Sequence, residues 1–266
     1  IDMILFILPI HYNMDFLSKK HPHYLDNRIA FHEPSHTYTI DGENGYLSVT
    51  SWVKQHFKPF DADKIIDSMM SGHKWSSSKY FGMTREEIKR SWELNRNTAA
   101  AAGTELHSDI EKFYNGVLHE NESFEYKQFS NFVKDNPFEP YRTEWTIFDK
   151  ELKIAGSIDM AFVGKNGELM IYDWKRSKGI VRNSFFETYS TTDCINHIPD
   201  TNFWHYSLQL NMYKTILERN YDKKISKLCL VCIHPDQKDY KLFDVPELDY
   251  ELSELIAIRK SQLEEA

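Results

Sequence analysis

The middle of the chain carries three stretches in which hydrophobic and polar residues alternate with a period of two. They cover residues 142–148, 153–163 and 168–175. This period is typical of β-strands, because successive side chains of a strand point to opposite faces of the sheet. The Gly-Lys-Asn-Gly sequence at 164–167 predicts a tight turn between the last two stretches. The sequence therefore predicts a central β-hairpin against which the remaining segments pack.

Helical segments flank this hairpin on both sides along the chain. The capping-box pattern at residues 84–87 predicts the start of a helical stretch that continues to Tyr114, with a break near Gly103. Thr50 or Ser51 is the predicted N-cap of an earlier helix. The further predicted elements are a helix over 204–217, strands over 227–233 and 240–245, and a helix over 247–264. Together these patterns predict an α/β fold, with a mixed central β-sheet flanked by helices and an N-terminal helical region.

The balance of charge restricts how this protein would bind a polyanion. The chain has 32 Lys and Arg residues against 40 Asp and Glu residues, which gives a formal net charge of −8. This balance argues against a nucleic-acid partner that is held by bulk charge. It remains compatible with local basic patches, and with metal ions that supply positive charge at one site.

The three cysteines of the chain limit cysteine-based chemistry. They are too few for a disulfide framework, and they exclude a four-cysteine zinc or iron–sulfur site within one chain. We therefore expect no iron–sulfur cluster, and an intracellular protein that is not secreted. No stretch is long enough to span a membrane, so no membrane association is expected, and the short apolar run at residues 3–9 lacks the basic flank of a signal peptide. Residues 1–30 are interpreted as an N-terminal extension.

The two arms of the hairpin each carry an aspartate, Asp159 and Asp173. The two-residue period puts Asp173 and Lys175 on the same face as the apolar residues Leu169 and Ile171. The tight turn brings the two aspartates near each other, and closely spaced carboxylates repel unless a divalent cation binds between them. The alternative interpretation is that both aspartates are exposed strand-end residues and that Lys175 is their salt-bridge partner.

Three further patterns place polar side chains where they can join such a site. His107 and Glu111 lie four residues apart on one face of a predicted helix, so both can reach a metal ion. Gln209 and Tyr213 have the same spacing on the helix after the hairpin. Glu144 lies on the strand that precedes the hairpin. Each pattern alone is also compatible with a solvent-facing residue or with amphipathic packing.

These residue types are the ones that phosphodiester hydrolysis requires. Carboxylates bind Mg²⁺, and the bound metal lowers the pKa of a water molecule and neutralises the phosphate. A nearby lysine can orient or help deprotonate the attacking water and stabilise the charge of the pentacovalent state.

Six short motifs follow one another along the chain: SVT at 48–50, GTELHSDIE at 103–111, EW at 144–145, GSID at 156–159, YDWK at 172–175 and QLNMY at 209–213. Their order resembles that of the PD-(D/E)XK nuclease superfamily, in its RecB-like exonuclease branch. The SVT and GTELHSDIE motifs are most similar to the mitochondrial genome maintenance exonuclease, and residues 31–42 are similar to nuclease-like proteins of large DNA viruses and phages. The resemblance covers roughly residues 31–213.

This resemblance implies a restriction-endonuclease-like core and a role for each matching residue. It implies a single nuclease domain over 31–266, with a helical arch along the substrate path at about 51–97, a catalytic core at about 98–245 and a C-terminal helix at 247–264. The implied cofactor is Mg²⁺ or Mn²⁺. The implied metal ligands are His107, Asp159, Asp173 and the backbone carbonyl of Trp174, with Glu111 and Glu144 as further candidates. The implied catalytic residues are Asp159, Asp173, Lys175, Gln209 and Tyr213.

Basic and aromatic residues beside these motifs are candidate DNA-binding groups. Arg176, Lys178 and Arg182 follow the second aspartate, and the aromatic residues around them include Trp204. Lys74 and Lys79 form a second basic set in the helical region before residue 97. Such residues can contact phosphates and stack on unpaired bases, although a solvated basic loop has the same composition.

We therefore expect a Mg²⁺- or Mn²⁺-dependent DNA exonuclease that acts on single-stranded ends in DNA replication, recombination or repair. The first alternative is a structure- or sequence-selective DNA endonuclease, because the same hairpin serves both activities. The second alternative is a non-catalytic nucleic-acid-binding accessory module. The expected partners are DNA and a helicase or recombinase, and the motif similarity suggests a viral source.

Overall fold

The computed structural model describes residues 14–184 and 187–265. Its helices are α1 (Phe16–Lys20), α2 (Val49–Lys54), α3 (Ala62–Ser71), α4 (Arg85–Tyr114), α5 (Phe124–Asp135), α6 (Asn202–Asn220) and α7 (Asp249–Glu264). Its strands are β1 (Ile29–His32), β2 (Thr37–Ile40), β3 (Glu43–Ser48), β4 (Glu139–Asp149), β5 (Ile154–Val163), β6 (Leu169–Arg176), β7 (Ile225–Ile233) and β8 (Lys241–Asp244). Among the described residues, no helix combines the length and the apolar character needed to cross a membrane.

The predicted hairpin forms the centre of the sheet. β5 and β6 pair in antiparallel fashion, residues 160–163 against 169–172. In the connection, Asn166 and Gly167 have positive φ angles of 62° and 79°. This is the left-handed backbone conformation that Asn and Gly adopt most readily. The residue types that predict the turn at 164–167 are therefore the ones that allow its backbone to form.

Within the described residues, eight strands form one sheet in the order β1-β2-β3-β5-β6-β7-β8, with β4 also paired to β5. The β3–β5 and β6–β7 pairs are parallel, and the other pairs are antiparallel. Helices α2, α6 and α7 pack on one face of the sheet, while α4 and α5 pack on the other. The predicted α/β fold with a mixed central sheet is therefore confirmed.

The sheet opens at the middle of β5. On one side, β4 pairs with β5 from Ile154 to Val163. On the other side, β3 pairs only with Ile154 and Ala155, and β6 pairs only with residues 160–163. Residues 156–159 therefore have no strand neighbour on that side. We call this opening the fork.

An aromatic cluster fixes the orientation of β6. Phe129 and Phe132 of α5 pack beside Trp174, and all three side chains are at most 1% exposed. The rings of Phe132 and Trp174 meet edge to face, with centroids 5.0 Å apart. Full burial of an aromatic side chain contributes about 1.5–3 kcal/mol to folding. The cluster thereby turns the alternate residues of β6, Asp173 and Lys175, toward the opposite face and the fork.

Two helix predictions are wrong in detail. The N-cap of α2 is Ser48, whose Oγ accepts a hydrogen bond from the backbone N–H of Ser51 at 3.1 Å, because β3 runs directly into the helix. The predicted capping box opens α4, but the helix continues through Gly103 without a break. The four alanines before Gly103 favour the helix and offset the cost of glycine, which is about 1 kcal/mol.

Part of the predicted N-terminal extension packs on the core. Leu17 is buried, and its N–H donates to Asn115 Oδ1 at 3.0 Å. Arg142 donates to Asp26 Oδ2 at 2.8 Å and contacts the ring of Trp145. Residues 1–13 of the predicted extension lie outside the described residues.

Candidate active site

Asp159 lies at the edge of the fork, where β5 and β6 separate. The backbone N–H of Trp174 donates to Asp159 Oδ2 at 2.9 Å, so a side-chain carboxylate replaces the backbone acceptor of a regular ladder. The Asp159 side chain is only 10% exposed. The hairpin thus holds this carboxylate inside the opening and beside the residue that precedes Lys175.

Helix α4 delivers His107 to the same place. Its Nε2 lies 3.0 Å from the carbonyl oxygen of Trp174 and 3.8 Å from Asp159 Oδ2, and its Nδ1 lies 3.3 Å from Glu144 Oε1. His107, Glu144 and Asp159 each offer one ligand atom, and these atoms all lie within 4.8 Å of one another. Within the described part of the chain, these three side chains form the group whose ligand atoms are close enough to hold one metal ion.

The charges of these groups are strongly coupled. Burial lowers the pKa of His107, but Asp159 and Glu144 outweigh that effect and raise it to about 9. Burial raises the pKa of Asp159, although the cations of His107 and Lys175 oppose this shift. The cluster therefore attracts positive charge, which a proton on His107 supplies in this arrangement.

A backbone irregularity directs Glu144 into the cluster. Its φ angle is 42°, between the ladder pairs Thr143↔Met160 and Trp145↔Ile158. A non-glycine residue in this left-handed region costs about 1–3 kcal/mol and persists only when its surroundings hold it. Glu144 Oε2 accepts a hydrogen bond from Ser157 Oγ at 3.2 Å. The strain is thus maintained at the point where the carboxylate faces His107.

The donor set of the cluster suits a hard divalent cation. Two carboxylates and a backbone carbonyl supply oxygen, which Mg²⁺ and Mn²⁺ prefer, and the imidazole nitrogen is a ligand type of first-row transition metals. The residues that fit this role are Glu144, Asp159, the carbonyl of Trp174 and His107. Of the predicted ligands, Asp173 lies outside the 4.8 Å group of side chains.

Asp173 and Lys175 form a buried ion pair next to the cluster. Asp173 is 1% exposed, and its Oδ2 lies 2.5 Å from Lys175 Nζ. Burial raises the pKa of Asp173, the neighbouring Asp159 adds to this shift, and Lys175 opposes it. Lys175 Nζ also lies 4.7 Å from the centre of the Tyr206 ring. Its charge is therefore held between the Asp173 carboxylate and the Tyr206 ring.

Helix α6 adds the polar pair Gln209 and Tyr213. Gln209 Nε2 donates to the Tyr213 hydroxyl at 3.1 Å and lies 3.4 Å from Asp173 Oδ1. The Tyr213 ring covers Gly156, where an added Cβ would lie 2.6 Å from Tyr213 Cε1. Gly156 therefore permits the helix to approach the open edge of β5.

The remaining metal candidate, Glu111, lies one helical turn beyond His107. Burial raises its pKa to about 7, and the negative charge of Glu144 adds to the shift. It is outside the side-chain group that meets metal-ligand geometry. A role for Glu111 at the metal site stays a prediction.

The sequence patterns assign no individual role to three residues of the site. Ser157 supports Glu144, Tyr206 lies beside Lys175, and Gly156 admits Tyr213. Two of them belong to the GSID segment, where Gly and Ser before the aspartate are a signal of close packing. The sequence indicates Tyr206 only as one of several aromatic residues near the basic cluster, because an aromatic residue on a helix is usually part of the core.

The six predicted DNA-binding residues are outside the group of metal-ligand side chains in the fork. Arg176 points to the other face of the sheet and pairs with Glu125 at 2.8 Å. Lys178 pairs with Asp236 at 2.9 Å. The other four are Arg182, which stacks on Phe203, Trp204, which donates to the Arg182 carbonyl, and the exposed residues Lys74 and Lys79. Their contacts with DNA stay predictions.

Comparisons with known proteins give distant likenesses. No protein-family model matches the chain, and no curated protein matches it. The structure of SSO0001 is similar with a TM-score of 0.36 and 15% identity, over 84% of this chain and 78% of that one. The structure of a candidate exonuclease from Eubacterium rectale is similar with a TM-score of 0.29 and 12% identity, over 57% of this chain and 69% of that one. Neither likeness identifies a family or an activity for this chain.

Proposed function

We propose that the protein is a metal-dependent DNA exonuclease that hydrolyses phosphodiester bonds at single-stranded ends. The observation that supports this most directly is the content of the fork. Ligand atoms of His107, Glu144 and Asp159 lie within 4.8 Å of one another, and the Asp173–Lys175 ion pair lies beside them. This combination of acids, imidazole and lysine is suited to hydrolysis of a phosphate diester.

The metal in this proposal is Mg²⁺ or Mn²⁺. Glu144, Asp159, His107 and the carbonyl of Trp174 would hold it, with Asp173 as an additional ligand. Such an ion, when bound, lowers the pKa of a water molecule and neutralises phosphate charge.

The residues next to the cluster position the reacting groups. Lys175 offers N–H donors to the attacking water or to a phosphate oxygen, and Asp173 holds its ammonium group at 2.5 Å. Gln209 contacts both Asp173 and Tyr213, so it fixes the far wall of the fork. Because these side chains are nearly buried, their positions are set before a substrate arrives.

The DNA would approach past residues 51–97, which we propose as the helical arch of the substrate path. Lys74, Lys79, Arg182 and Trp204 are the proposed contacts. With a formal net charge of −8, affinity for DNA should depend strongly on divalent metal. We propose a role in replication, recombination or repair, with a helicase or recombinase as partner.

A nuclease assay tests this proposal. Single- and double-stranded oligonucleotides labelled at the 5′ or the 3′ end are incubated with Mn²⁺ or Mg²⁺, and with chelator. We expect mononucleotide release from single-stranded ends with metal only. The variants Asp173→Ala and Lys175→Ala should abolish it, whereas Lys165→Ala, in the distant hairpin turn, should leave it unchanged.

Two outcomes would contradict the proposal. Cutting of covalently closed circular DNA would indicate an endonuclease instead. Absence of any degradation that depends on Asp173 and Lys175, despite DNA binding, would indicate a non-catalytic binding module.

A further inference from the structure

A groove of about 850 Å³ lies between the connection from α2 to α3 and the start of α6. Its lining is mostly apolar and includes Phe57, Phe60, Ile65 and His205. The rings of Phe57 and His205 pack with centroids 4.0 Å apart, while Phe60 is 74% exposed. A concave surface with an apolar lining and a few polar groups is typical of a ligand-binding site.

Phe60 separates this groove from a second one. The second groove has a volume of about 690 Å³ and is lined by Trp92 and Arg96, among others. The centroids of the Phe60 and Trp92 rings are 6.0 Å apart. The Phe60 ring therefore forms a ridge between the two grooves.

The rim of the first groove has unbalanced positive charge. The lining contains three lysines against two aspartates. Asp61 pairs with Lys64 at 2.9 Å, and Asp200 lies 2.9 Å from the imidazole of His205, whose pKa is lowered by burial. In the described part of the chain, no carboxylate lies within 4.0 Å of the ammonium groups of Lys54 and Lys58, and both residues are exposed. The aromatic lining and the ammonium groups of Lys54 and Lys58 together complement a polyanion that carries planar rings.

Helix α6 contributes residues to both the groove and the candidate active site. His205, Gln209 and Tyr213 lie at successive turns on one face of this helix. Four residues correspond to about 6 Å along the helix axis. A stacked strand advances about 3.4 Å per nucleotide, so the groove begins about two nucleotides from the residues that contact Asp173.

We infer that this groove is a subsite for single-stranded DNA next to the scissile phosphate. An unpaired base stacks on Phe60, and Lys54 and Lys58 contact the phosphates of the same strand. The inference rests on the proposed function, because it takes DNA as the substrate. Single strands fit better than duplex, since their bases have free π-faces. A peptide is the competing occupant, and the two free lysines favour the polyanion.

Binding of fluorescein-labelled dT12 tests the subsite. Fluorescence anisotropy is measured with Ca²⁺ over a range of salt concentrations, and a denaturing gel checks that the strand stays intact. Phe60→Ala should weaken binding about tenfold, the expected effect of losing one base stack. Lys54→Gln with Lys58→Gln should reduce the salt slope by about 1.4, at about 0.7 per phosphate contact. Lys165→Gln, in the distant hairpin turn, is the matched control and should change neither quantity.

A strand with abasic sites separates stacking from charge. On this strand Phe60→Ala should have no effect, while the double lysine variant should keep its effect. Unchanged dT12 affinity and salt slope in the Phe60 and lysine variants, with unchanged melting temperatures, would overturn the inference and favour a peptide in the groove. The proposed function fails separately, when the wild-type protein with Mn²⁺ degrades no DNA.

Discussion

The contact between Gly156 and Tyr213 provides the sharpest test of how the fork is built. In Gly156→Ala, the new Cβ would lie 2.6 Å from Tyr213 Cε1 and 3.2 Å from the Tyr213 hydroxyl and from Val49 Cγ2. Ordinary contact begins near 3.4 Å, so the ring must retreat by about 0.8 Å. Because β4 holds the other side of β5 and Tyr213 is 3% exposed, neither partner moves freely.

Two quantities should change together. Overpacking of this kind costs about 1–3 kcal/mol, so the melting temperature should fall by about 2–10 °C for a chain of this size. A retreat of the ring also lengthens the 3.1 Å hydrogen bond between Gln209 and Tyr213. Misplacement of a site residue by about 1 Å costs on the order of 10²-fold in rate, so DNA degradation should fall by that factor.

The same substitution at Gly103 is the matched control. A Cβ there meets nothing within 4 Å, and the residue lies inside α4. Gly103→Ala should therefore raise the free energy of unfolding by about 0.5–1 kcal/mol. If Gly→Ala lowers the free energy of unfolding at position 156 and raises it at position 103, the contact with Tyr213 explains the loss of stability at 156, and removal of glycine in general does not.

A second substitution identifies the clashing atom. Tyr213→Leu removes the ring, so Gly156→Ala should cost less stability in that background, whereas Tyr213→Phe keeps Cε1 and should preserve the full cost. The assays are urea unfolding and metal-dependent release of labelled nucleotides. Wild-type stability and activity in Gly156→Ala would refute the reasoning.

Three further predictions concern charge. Lys175→Met should lower the free energy of unfolding by about 3 kcal/mol in chelator at neutral pH, because Asp173 loses its buried partner; urea unfolding should show a smaller loss at acidic pH, where Asp173 takes up a proton. His107 has a pKa of about 9 and must lose its proton to bind metal, so the Mn²⁺ affinity, measured by titration calorimetry, should rise about tenfold per pH unit from pH 6 to 8. Burial lowers the pKa of His56, so the folded chain binds that proton less readily than the unfolded chain; the free energy of unfolding should fall as the pH drops below about 6.5, and less so in His56→Gln. A Mn²⁺ affinity that does not change with pH would contradict the assignment of His107 as a ligand. Equal pH profiles of unfolding in the wild type and His56→Gln would contradict the role given to His56.

The central hairpin was predictable because its signals are local. The period-two pattern defines β5 and β6, and the turn between them contains the residues that tolerate positive φ. The two aspartates follow from that geometry, since the strand period and the turn together determine which residues face each other. The α/β fold follows from the flanking helical patterns.

Other features depend on contacts that sequence patterns do not contain. Helix α5 is an exception: it was not predicted, although its signals are local, because Tyr126, Phe129 and Val133 have helical spacing and Ser123 caps the helix. The close approach of Glu144 to His107 requires a left-handed residue inside β4, which no period-two pattern indicates. The groove beside Phe60 exists only because α6 returns next to the α2–α3 connection.

Neighbouring residues of β6 face opposite sides of the sheet and contact different groups. Asp173 and Lys175 face the fork, while Trp174 and Arg176 face the aromatic cluster and Glu125. An insertion or deletion of one residue between 169 and 173 would exchange these two sets, placing indole in the fork and charge among the aromatic rings. Homologous chains that keep this site should therefore differ in β6 by substitution rather than by length.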